Sequence, residues 1–313
     1  MRTYLIQRLV ALIPVLLVVA TVVFLLVRLT PGDPAAVILG DQASAEAVRE
    51  LRTRLGLDDP LIVQYGRWLA NAVRGDMGRS LFFDQPVTSI LLERVEPTVL
   101  LALYGLLLGT VLGVPCGVLA ALNHGRFLDR VLMTVSLAGI STPSFVIGLL
   151  LAYVVSAQLN LLPAGGYVPI RRGLLGNLQS LILPSLSLGL VQLALIARMT
   201  RTAVLEVMTA DHVRVAYAKG LPFRLVLLRH ILRNSLVPIV TIIGLSLAVL
   251  MGGTVVIETL FDLPGVGRLA VGSILRRDYP VIQGVILYVT CAIALVNLAV
   301  DLVYSWLDPR IRY

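Results

Sequence analysis

Long uncharged apolar stretches alternate with shorter polar ones along this chain, and these stretches predict membrane-spanning helices. A helix needs about 20 mostly apolar residues to cross the hydrocarbon core of a bilayer. The first stretch lies between Arg8 and Arg28. It exceeds the apolar region of a usual signal peptide and lacks a small-residue cleavage site, so we expect it to be retained. The other five predicted spans fall within residues 97–122, 131–157, 181–197, 236–257 and 281–300.

The polar segments divide the predicted chain into three parts. Residues 1–30 contain an N-terminal transmembrane helix, residues 31–96 form a long loop, and residues 97–313 form a five-helix membrane core. The loop contains two amphipathic patches at helical spacing, at 45–55 and 61–73. Its length is too small for a catalytic domain but sufficient to cover one end of a helical bundle.

Basic residues predict which face of the membrane is cytoplasmic, because cytoplasmic connections are enriched in Arg and Lys. The connection at 198–233 alone holds seven basic residues against Glu206 and Asp211. Six spans return the chain to the side on which it starts. We therefore predict that both termini are cytoplasmic and that the 31–96 loop is extracytoplasmic.

The 198–234 connection has the pattern of a basic, amphipathic helical hairpin. Residues 198–220 are compatible with one helix that ends at Gly220, a residue favoured directly after a helix, and Pro222 suits the first turn of a second helix. One predicted face of that second helix holds Leu225, Leu228 and Leu232. Two interpretations remain open from the pattern. The hairpin lies on the inner leaflet with its arginines near lipid phosphates, or its small-residue tip docks a partner.

The composition indicates an integral membrane protein. The chain is 58% hydrophobic and 14% charged, with a mean hydropathy of +0.90, whereas soluble domains are about one quarter charged. The net charge is +8, but the sequence contains no soluble basic domain that could hold DNA. This argues against nucleic-acid binding. Cys116 and Cys291 lie inside apolar stretches and are expected to be small core residues, not disulfide partners.

The sequence lacks the residues that three kinds of chemistry would require. A phosphate-binding loop needs Gly-x-x-x-x-Gly-Lys, but the only lysine, Lys219, follows Ala218. Coupling to an ion gradient usually needs an ionisable group within a span, and only Asp301 lies near one, at an interface where Arg310 or Arg312 could pair with it. Catalysis or metal binding is not expected, since the histidines all fall in predicted cytoplasmic connections: His124, His212 and His230.

Polar residues and helix breakers within the spans suggest a translocation path. Pro and Gly residues in these spans predict either kinks and close packing or helices that pivot. Hydrogen bonding between helices would explain the polar residues equally well. The candidate path residues are Ser141, Thr142, Ser144, Ser185, Ser187 and Gln192. After the fifth span, "ETLFDLPGVGRL" at 258–269 predicts either a re-entrant loop or an ordinary exposed loop.

The segments "DHVRVAYAKG" and "LLRHILRNSLVP" resemble the cytoplasmic loop of bacterial ABC-importer permeases of the dipeptide/oligopeptide/nickel family. Arg214, His230 and Arg233 depart from the general pattern of such loops, which has Glu, Ile and Pro there, but they are similar to this branch. The resemblance covers nearly the whole chain, through "RLTPGDPA", "LGLDDPLIVQYGRWL", "GRSL", "ISTPSFVIGLLL", "LILPSLSLGL", "LFDLPGVGRL", "RDYPVIQG" and "LDPRIR".

The resemblance implies an all-α type I permease fold with six transmembrane helices, in the bacterial cytoplasmic membrane. The hairpin would be the coupling helix that receives movement from a cytosolic ATPase, through Arg214, Val215, Ala216, Tyr217, Ala218, Lys219 and Gly220. Gly220→Trp and Ala216→Arg are then expected to uncouple transport. The outer loop would close the path and meet a binding protein through Asp262, Pro264, Gly265, Gly267 and Arg268, with Arg276 and Asp278 as further polar contacts.

The implied assembly contains a second homologous permease, two ATPase subunits or domains, and an extracytoplasmic solute-binding protein. ATP and Mg would be bound by the ATPases, and this chain would bind no cofactor. The implied activity is import of di- or oligopeptides by alternating access, with nickel chelates, glutathione or another small solute as alternative substrates. Two functions of another kind stay open, a secondary peptide transporter and a non-transporting membrane scaffold.

Overall fold

A computed structural model describes residues 2–29, 35, 44–54 and 56–307 of the chain. The segments "RLTPGDPA" and "LDPRIR" fall largely outside these residues, as do Arg310 and Arg312. The helices are α1 Arg2–Leu29, α2 Ala45–Arg54, α3 Leu61–Val73, α4 Val87–Leu122, α5 Phe127–Ser141, α6 Ser144–Leu151, α7 Leu174–Met208, α8 Asp211–Ala218, α9 Phe223–Gly252, α10 Val255–Leu260, α11 Val266–Leu275 and α12 Tyr279–Leu307.

Within the described residues, five of these helices, α1, α4, α7, α9 and α12, are long and apolar enough to cross a membrane. The third predicted span, at 131–157, is broken. Helices α5 and α6, with the π-helical Ala152–Gln158, meet at a bend of 96°. Pro143 causes the break, because the residue before a proline disfavours the helical conformation, and Thr142 is accordingly extended (ψ 121°).

Helices α4 and α7 form the centre of the bundle, and their backbones approach closely. Gly105, Gly109, Gly113 and Gly117 place a glycine on one side of α4 at every fourth residue. A Cβ added at Gly113 would lie 2.9 Å from the carbonyl oxygen of Leu193, and one at Gly117 would lie 2.6 Å from Cβ of Thr200. Gly113 and Gly117 therefore serve close packing between the helices. This is one of the two roles predicted for glycines within the spans.

Two helices extend well beyond the predicted spans. Helix α4 begins at Val87, ten residues before the predicted boundary at Pro97, and α7 runs from Leu174 to Met208. Pro97 is buried inside α4 and does not end it. A proline in a helix removes one backbone hydrogen bond, which neighbouring helices can compensate.

The N-terminal helix is held at both ends by other parts of the chain. The Thr21 hydroxyl lies 2.9 Å from the Tyr65 hydroxyl, and Arg28 Nε donates to Gln64 Oε1 at 3.0 Å, so α3 packs against one end of α1. At the other end, Arg8 Nε lies 3.2 Å from Asp301 Oδ2. Asp301 therefore has an ion-pair partner in α1, whereas Arg310 and Arg312, named above as possible partners, lie outside the described residues.

Candidate functional site

The predicted coupling helix is a separate short helix, α8. Residues 198–220 were expected to form one helix, but α7 ends at Met208 and Ala210 is extended (ψ 146°). The Thr209 hydroxyl donates to the carbonyl of Glu206 at 2.8 Å, an alternative to continued helix that side chains of this type provide. Because neither residue at the break is Gly or Pro, the sequence pattern does not reveal it.

Gly220 ends α8 as predicted. Its φ of 74° lies in the left-handed region, where glycine carries no steric penalty. The N–H of Gly220 donates to the carbonyl of Tyr217 at 2.9 Å, and the N–H of Leu221 donates to that of Ala216 at 3.4 Å. These two bonds form the Schellman motif, which fixes the direction of the chain after the helix.

Helix α8 has one face buried against the bundle and one face exposed. Val213 and Ala216 are 1% and 3% exposed. Val215 and Tyr217, on the other face, are 52% and 44% exposed. Of the seven predicted coupling residues, Ala216 therefore faces the bundle. The remaining six are exposed, and they are Arg214, Val215, Tyr217, Ala218, Lys219 and Gly220.

The buried face of α8 belongs to an apolar cluster that joins four helices, which we call the coupling cluster. It contains Ala121 of α4, Val204 of α7, Val213 and Ala216 of α8, and Val226 and Ile231 of α9. A displacement of α8 would therefore press directly on three long helices, because well-packed apolar interiors are nearly incompressible.

The leucines predicted to share one face at the start of α9 are not the residues buried in the coupling cluster. Leu225 and Leu228 are 37% and 66% exposed, whereas Val226 and Ile231 are fully buried. The reason is a π-helical segment, Val226–Leu232, in which each turn contains more residues than in an α-helix. The inward-facing positions are therefore five residues apart instead of three or four.

A buried ion pair near the coupling cluster joins α5 to α7, and sequence reasoning missed it. Arg201 donates to both carboxylate oxygens of Asp129, at 2.6 Å and 2.8 Å. The backbone N–H of Gly125 also donates to Asp129, and His124 Nδ1 lies 2.9 Å from Arg201 Nη2. Asp129 is only 3% exposed. The two partners are far apart in the sequence, so no local spacing identifies the pair.

The six candidate path residues form two separate groups. Ser141, Thr142 and Ser144 lie at the bend between α5 and α6, at exposed or half-buried positions. Ser185, Ser187 and Gln192 are buried in α7. Ser187 donates to the carbonyl of Leu183 at 2.8 Å, whereas Ser185 Oγ and Gln192 Oε1 have no hydrogen-bond partner within the described residues.

The predicted outer loop is built around the fully buried carboxylate of Glu258. Glu258 Oε1 accepts hydrogen bonds from the hydroxyls of Thr98 (2.7 Å) and Thr254 (2.8 Å), and Oε2 accepts one from the backbone N–H of Arg268 (2.8 Å). A carboxylate at this place also complements the N-terminal end of α11. The available sequence signal was a lone acidic residue directly after the apolar stretch at 236–257.

The predicted gate residues take different positions around Glu258. Gly265 is buried, and a Cβ there would overlap the Glu258 carboxylate, so only glycine allows this approach. Gly267 packs beside Val255 in the same way. Asp262 and Arg268 form an exposed ion pair, and Pro264 is half-buried.

Asp278, predicted as an outer polar contact, is instead buried. It is 1% exposed and accepts hydrogen bonds from the Ser80 hydroxyl and from the backbone N–H groups of Leu81 (3.2 Å) and Phe82 (3.4 Å). The segments "GRSL" and "RDYPVIQG" therefore meet in space. Arg276, by contrast, is exposed, and its guanidinium stacks on the Phe82 ring at 3.7 Å.

Two cavities lie beside the outer loop. One, of about 430 Å³, is lined by Arg94, Arg268 and Arg276 among others, and the other, of about 560 Å³, is lined by Glu93, Arg94, Glu96 and Tyr167 among others. Tyr167 donates to Glu96 at 2.7 Å. Burial and this hydrogen bond raise the pKa of the Tyr167 hydroxyl, so it stays protonated. Among the described residues, no group of three or more His, Cys, Asp or Glu is placed to hold a metal ion.

Two known protein families match parts of this sequence. The family described as "Binding-protein-dependent transport system inner membrane component" matches residues 113–313, and the N-terminal membrane component of the same type of system matches residues 1–102. The chain belongs to this family. It is a multi-pass permease subunit of an ABC importer, and the resemblance predicted from its motifs is confirmed.

Curated relatives match the permease over its full length. It is 45% identical to a probable peptide ABC transporter permease protein, y4tP, of Sinorhizobium fredii, and 44% identical to a putative peptide transport system permease protein of Brucella abortus. It is 42% identical to the glutathione transport system permease protein GsiC of Escherichia coli. Each alignment covers 100% of both chains.

A solved structure shows the same fold as the permease. A structure of the MetNI methionine ABC transporter in an inward-facing conformation matches with a TM-score of 0.57, over 70% of this chain and 96% of that one. At 18% identity this match concerns the fold alone. The predicted all-α type I permease fold is thereby confirmed.

Proposed function

We propose that the permease imports short peptides and that cytosolic ATPase partners drive the import through the exposed face of α8. The peptide substrate is supported by the relatives named as peptide permeases, at 44% and 45% identity over the whole chain. The ATPase partners are supported by the sequence, which has no phosphate-binding loop of its own.

The position of α8, exposed on one side and packed against the bundle on the other, is the main support for the proposal. Its exposed face, with Val215 and Tyr217, is available to a partner, and its buried face, with Val213 and Ala216, is part of the coupling cluster. A short helix that only lay on a membrane surface would not need a buried contact with three other helices. This arrangement favours docking over the inner-leaflet alternative that the sequence left open.

The proposed assembly follows from the family. The permease would pair with a second, homologous permease, two cytosolic ATPase subunits or domains would bind ATP and Mg, and an extracytoplasmic solute-binding protein would deliver the peptide. The basic 198–233 connection supports a cytoplasmic position for α8 and for both termini. The 258–269 loop and the described part of the 31–96 loop would then lie outside.

Alternating access describes the proposed cycle. ATP binding closes the ATPases, α8 moves with them, and the coupling cluster transfers this movement to α4, α7 and α9. The bundle then opens outward, and hydrolysis returns it to the inward state. In this scheme the 258–269 loop closes the outer end, and the polar residues at the bend between α5 and α6 line the path: Ser141, Thr142 and Ser144. Ser185, Ser187 and Gln192 would reach the path only when α7 moves, because they are buried here.

Glutathione is a second candidate substrate, favoured by the 42% identity to a glutathione permease. Glutathione is itself a short peptide with several charged groups. A permease for dipeptides and one for glutathione would therefore present similar chemistry at their outer faces.

The first experiment reconstitutes the complete importer in proteoliposomes and measures ATP-dependent uptake of a labelled dipeptide and of labelled glutathione. Val215→Arg places a charge on the exposed face of α8, and we expect ATPase binding and uptake to be lost while the permease remains folded. Val215→Thr, which has nearly the same volume, is the matched control and should retain both.

Any of three results would contradict the proposal. Uptake by Val215→Arg at the wild-type rate would exclude the exposed face of α8 as the docking surface. A wild-type importer that takes up neither dipeptide nor glutathione would exclude the substrate class. Uptake without any ATPase subunit would favour a secondary transporter.

A further inference from the structure

The two cavities beside the outer loop differ in charge and meet at one residue. Arg94, at the start of α4, lines both. Arg268 and Arg276 line the first cavity, whereas Glu93 and Glu96 line the second. Arg94 therefore lines both a basic cavity and a partly acidic one.

The first cavity has an excess of positive charge. The acidic residue that lines it is Asp278, whose buried carboxylate is already occupied by Ser80 and by two backbone N–H groups. Arg268 is paired with Asp262, but the structure gives Arg94 and Arg276 no acidic partner within the described residues. Two guanidinium groups in this hollow thus lack a counter-charge.

The lining of the first cavity also contains a buried hydroxyl group without a hydrogen-bond partner in the described part of the chain. Ser273 lines the cavity and is only 3% exposed, and its Oγ has no hydrogen-bond partner in the described part of the chain. Buried hydroxyl groups usually have a partner. Phe82 and Phe83 also line this cavity, and Arg276 is held in place by stacking on Phe82.

The second cavity offers carboxylates to a cation. Glu96 Oε1 accepts hydrogen bonds from the Tyr167 hydroxyl (2.7 Å) and the backbone N–H of Ile170 (2.8 Å), which fix its position. Glu93 is exposed and has no ion pair or hydrogen bond among the described residues. Arg171 also lines this cavity and is its second cation beside Arg94.

We infer that these two cavities bind the two charged ends of a short peptide at the outer mouth of the permease. The inference rests on the proposed function. The free carboxylate would bind Arg94 and Arg276, and the free ammonium group would bind Glu93. A dipeptide or tripeptide is a zwitterion with ends roughly 7–10 Å apart when extended, and both cavities are of a size that holds small ligands.

The test uses the complete complex in lipid nanodiscs without the solute-binding protein, so that the selectivity of that protein does not contribute. Binding of Ala-Ala, N-acetyl-Ala-Ala and Ala-Ala-amide is measured by ligand-detected NMR. We expect Ala-Ala to bind and each blocked peptide to bind about tenfold more weakly, because one charge-assisted contact is lost.

Charge-neutralising variants give a crossed pattern that a purely structural effect would not produce. Arg276→Gln should weaken binding of Ala-Ala and N-acetyl-Ala-Ala by about tenfold and leave Ala-Ala-amide unchanged. Glu93→Gln should weaken binding of Ala-Ala and Ala-Ala-amide and leave N-acetyl-Ala-Ala unchanged. Arg277→Gln, at an exposed neighbour that does not line either cavity, is the control and should bind like the wild type.

Equal binding of free and blocked peptides, or an equal loss of all three in one variant, would overturn the inference. The proposed function can be judged separately. If the wild-type importer takes up Ala-Ala but the nanodisc complex shows no charge-dependent binding, the mouth site is excluded and the import function stands. If no peptide is taken up, the import function itself is excluded.

Discussion

Val215 and Ala216 are neighbours in α8 but have opposite surroundings. Val215 is 52% exposed, whereas Ala216 is 3% exposed and lies in the coupling cluster. A charge at the first position meets water or a partner, and a charge at the second meets apolar side chains. The two positions therefore separate docking from folding, which a substitution at Ala216 alone cannot do.

We expect Ala216→Arg to destabilise the permease. A buried, unpaired guanidinium costs several kcal/mol, even after the side chain rearranges. The measurement is the midpoint of thermal unfolding of the detergent-solubilised complex, followed by size-exclusion chromatography. Val215→Arg serves as the control and should unfold at the wild-type temperature. Equal midpoints for both variants would show that Ala216 does not support the fold.

Gly220 has a similar limitation as a probe of docking. Its φ of 74° is unfavourable for any residue with a Cβ, although a side chain there would meet open space. Gly220→Trp would therefore alter the backbone of the Schellman motif as well as the docking surface. Substitutions at Val215 and Tyr217 test the partner contact more directly.

At the scale of helices, the glycine row of α4 determines how α4 and α7 pack. We expect Gly117→Ala to destabilise the permease by roughly 1–3 kcal/mol, because the added methyl group would overlap the carbonyl of Ala197 and Cβ of Thr200. Thermal unfolding of the solubilised complex measures this change.

Gly66→Ala provides the matched control. Gly66 lies within α3, and an added Cβ there would meet nothing within 4 Å. Alanine in an unstrained helix position is favoured over glycine by about 0.5–1 kcal/mol. We therefore expect Gly66→Ala to raise the unfolding temperature slightly. A Gly117→Ala variant that behaves like Gly66→Ala would show that the two backbones are not in tight contact.

The breaks between helices show what a pattern can and cannot predict. Pro143 marks the position of the bend between α5 and α6 in the sequence. The angle of the bend could not be predicted from the pattern. The break at Thr209 and Ala210 has no such marker, because neither residue excludes a helix in the way that Pro does. The π segment at Val226–Leu232 likewise has no sequence signature, and it shifted the buried face of α9.

At the scale of the whole molecule, the Asp129–Arg201 pair holds the α4–α5 connection to α7 beside the coupling cluster. Removing one partner of a buried ion pair leaves the other charge uncompensated, which costs about 3–5 kcal/mol. We expect Asp129→Asn to reduce peptide import more than ATP hydrolysis, because α5 would no longer follow the movement of α7.

The ratio of ATP hydrolysed to peptide imported by the reconstituted importer measures this coupling. Arg126→Gln, at an exposed position in the same connection, is the control and should keep the wild-type ratio. A double variant with Asp129→Asn and Arg201→Gln should recover part of the lost stability, because neither charge is then left unpaired. An unchanged ratio for Asp129→Asn would assign the pair a purely local role.

The bundle and its six apolar segments were predictable, because hydrophobic length is a local property of the sequence. The site was predictable only where a local signal existed, as with Gly220 at the end of α8. Glu258, Asp129–Arg201 and Ser80–Asp278 depend on residues that are far apart along the chain and meet only in the folded bundle. Burial of a carboxylate is a property of that bundle, and no spacing along one segment encodes it.

The glycine row of α4 has a consequence for the proton gradient across the membrane. At Gly109, Gly113 and Gly117 the space between the two helices is smaller than a methyl group. A file of water molecules needs a polar channel wider than this, and such a file would let protons leak through the importer in every cycle. The α4–α7 contact is therefore closed to protons along its glycine row, and peptide import through this bundle need not discharge the proton gradient at that contact.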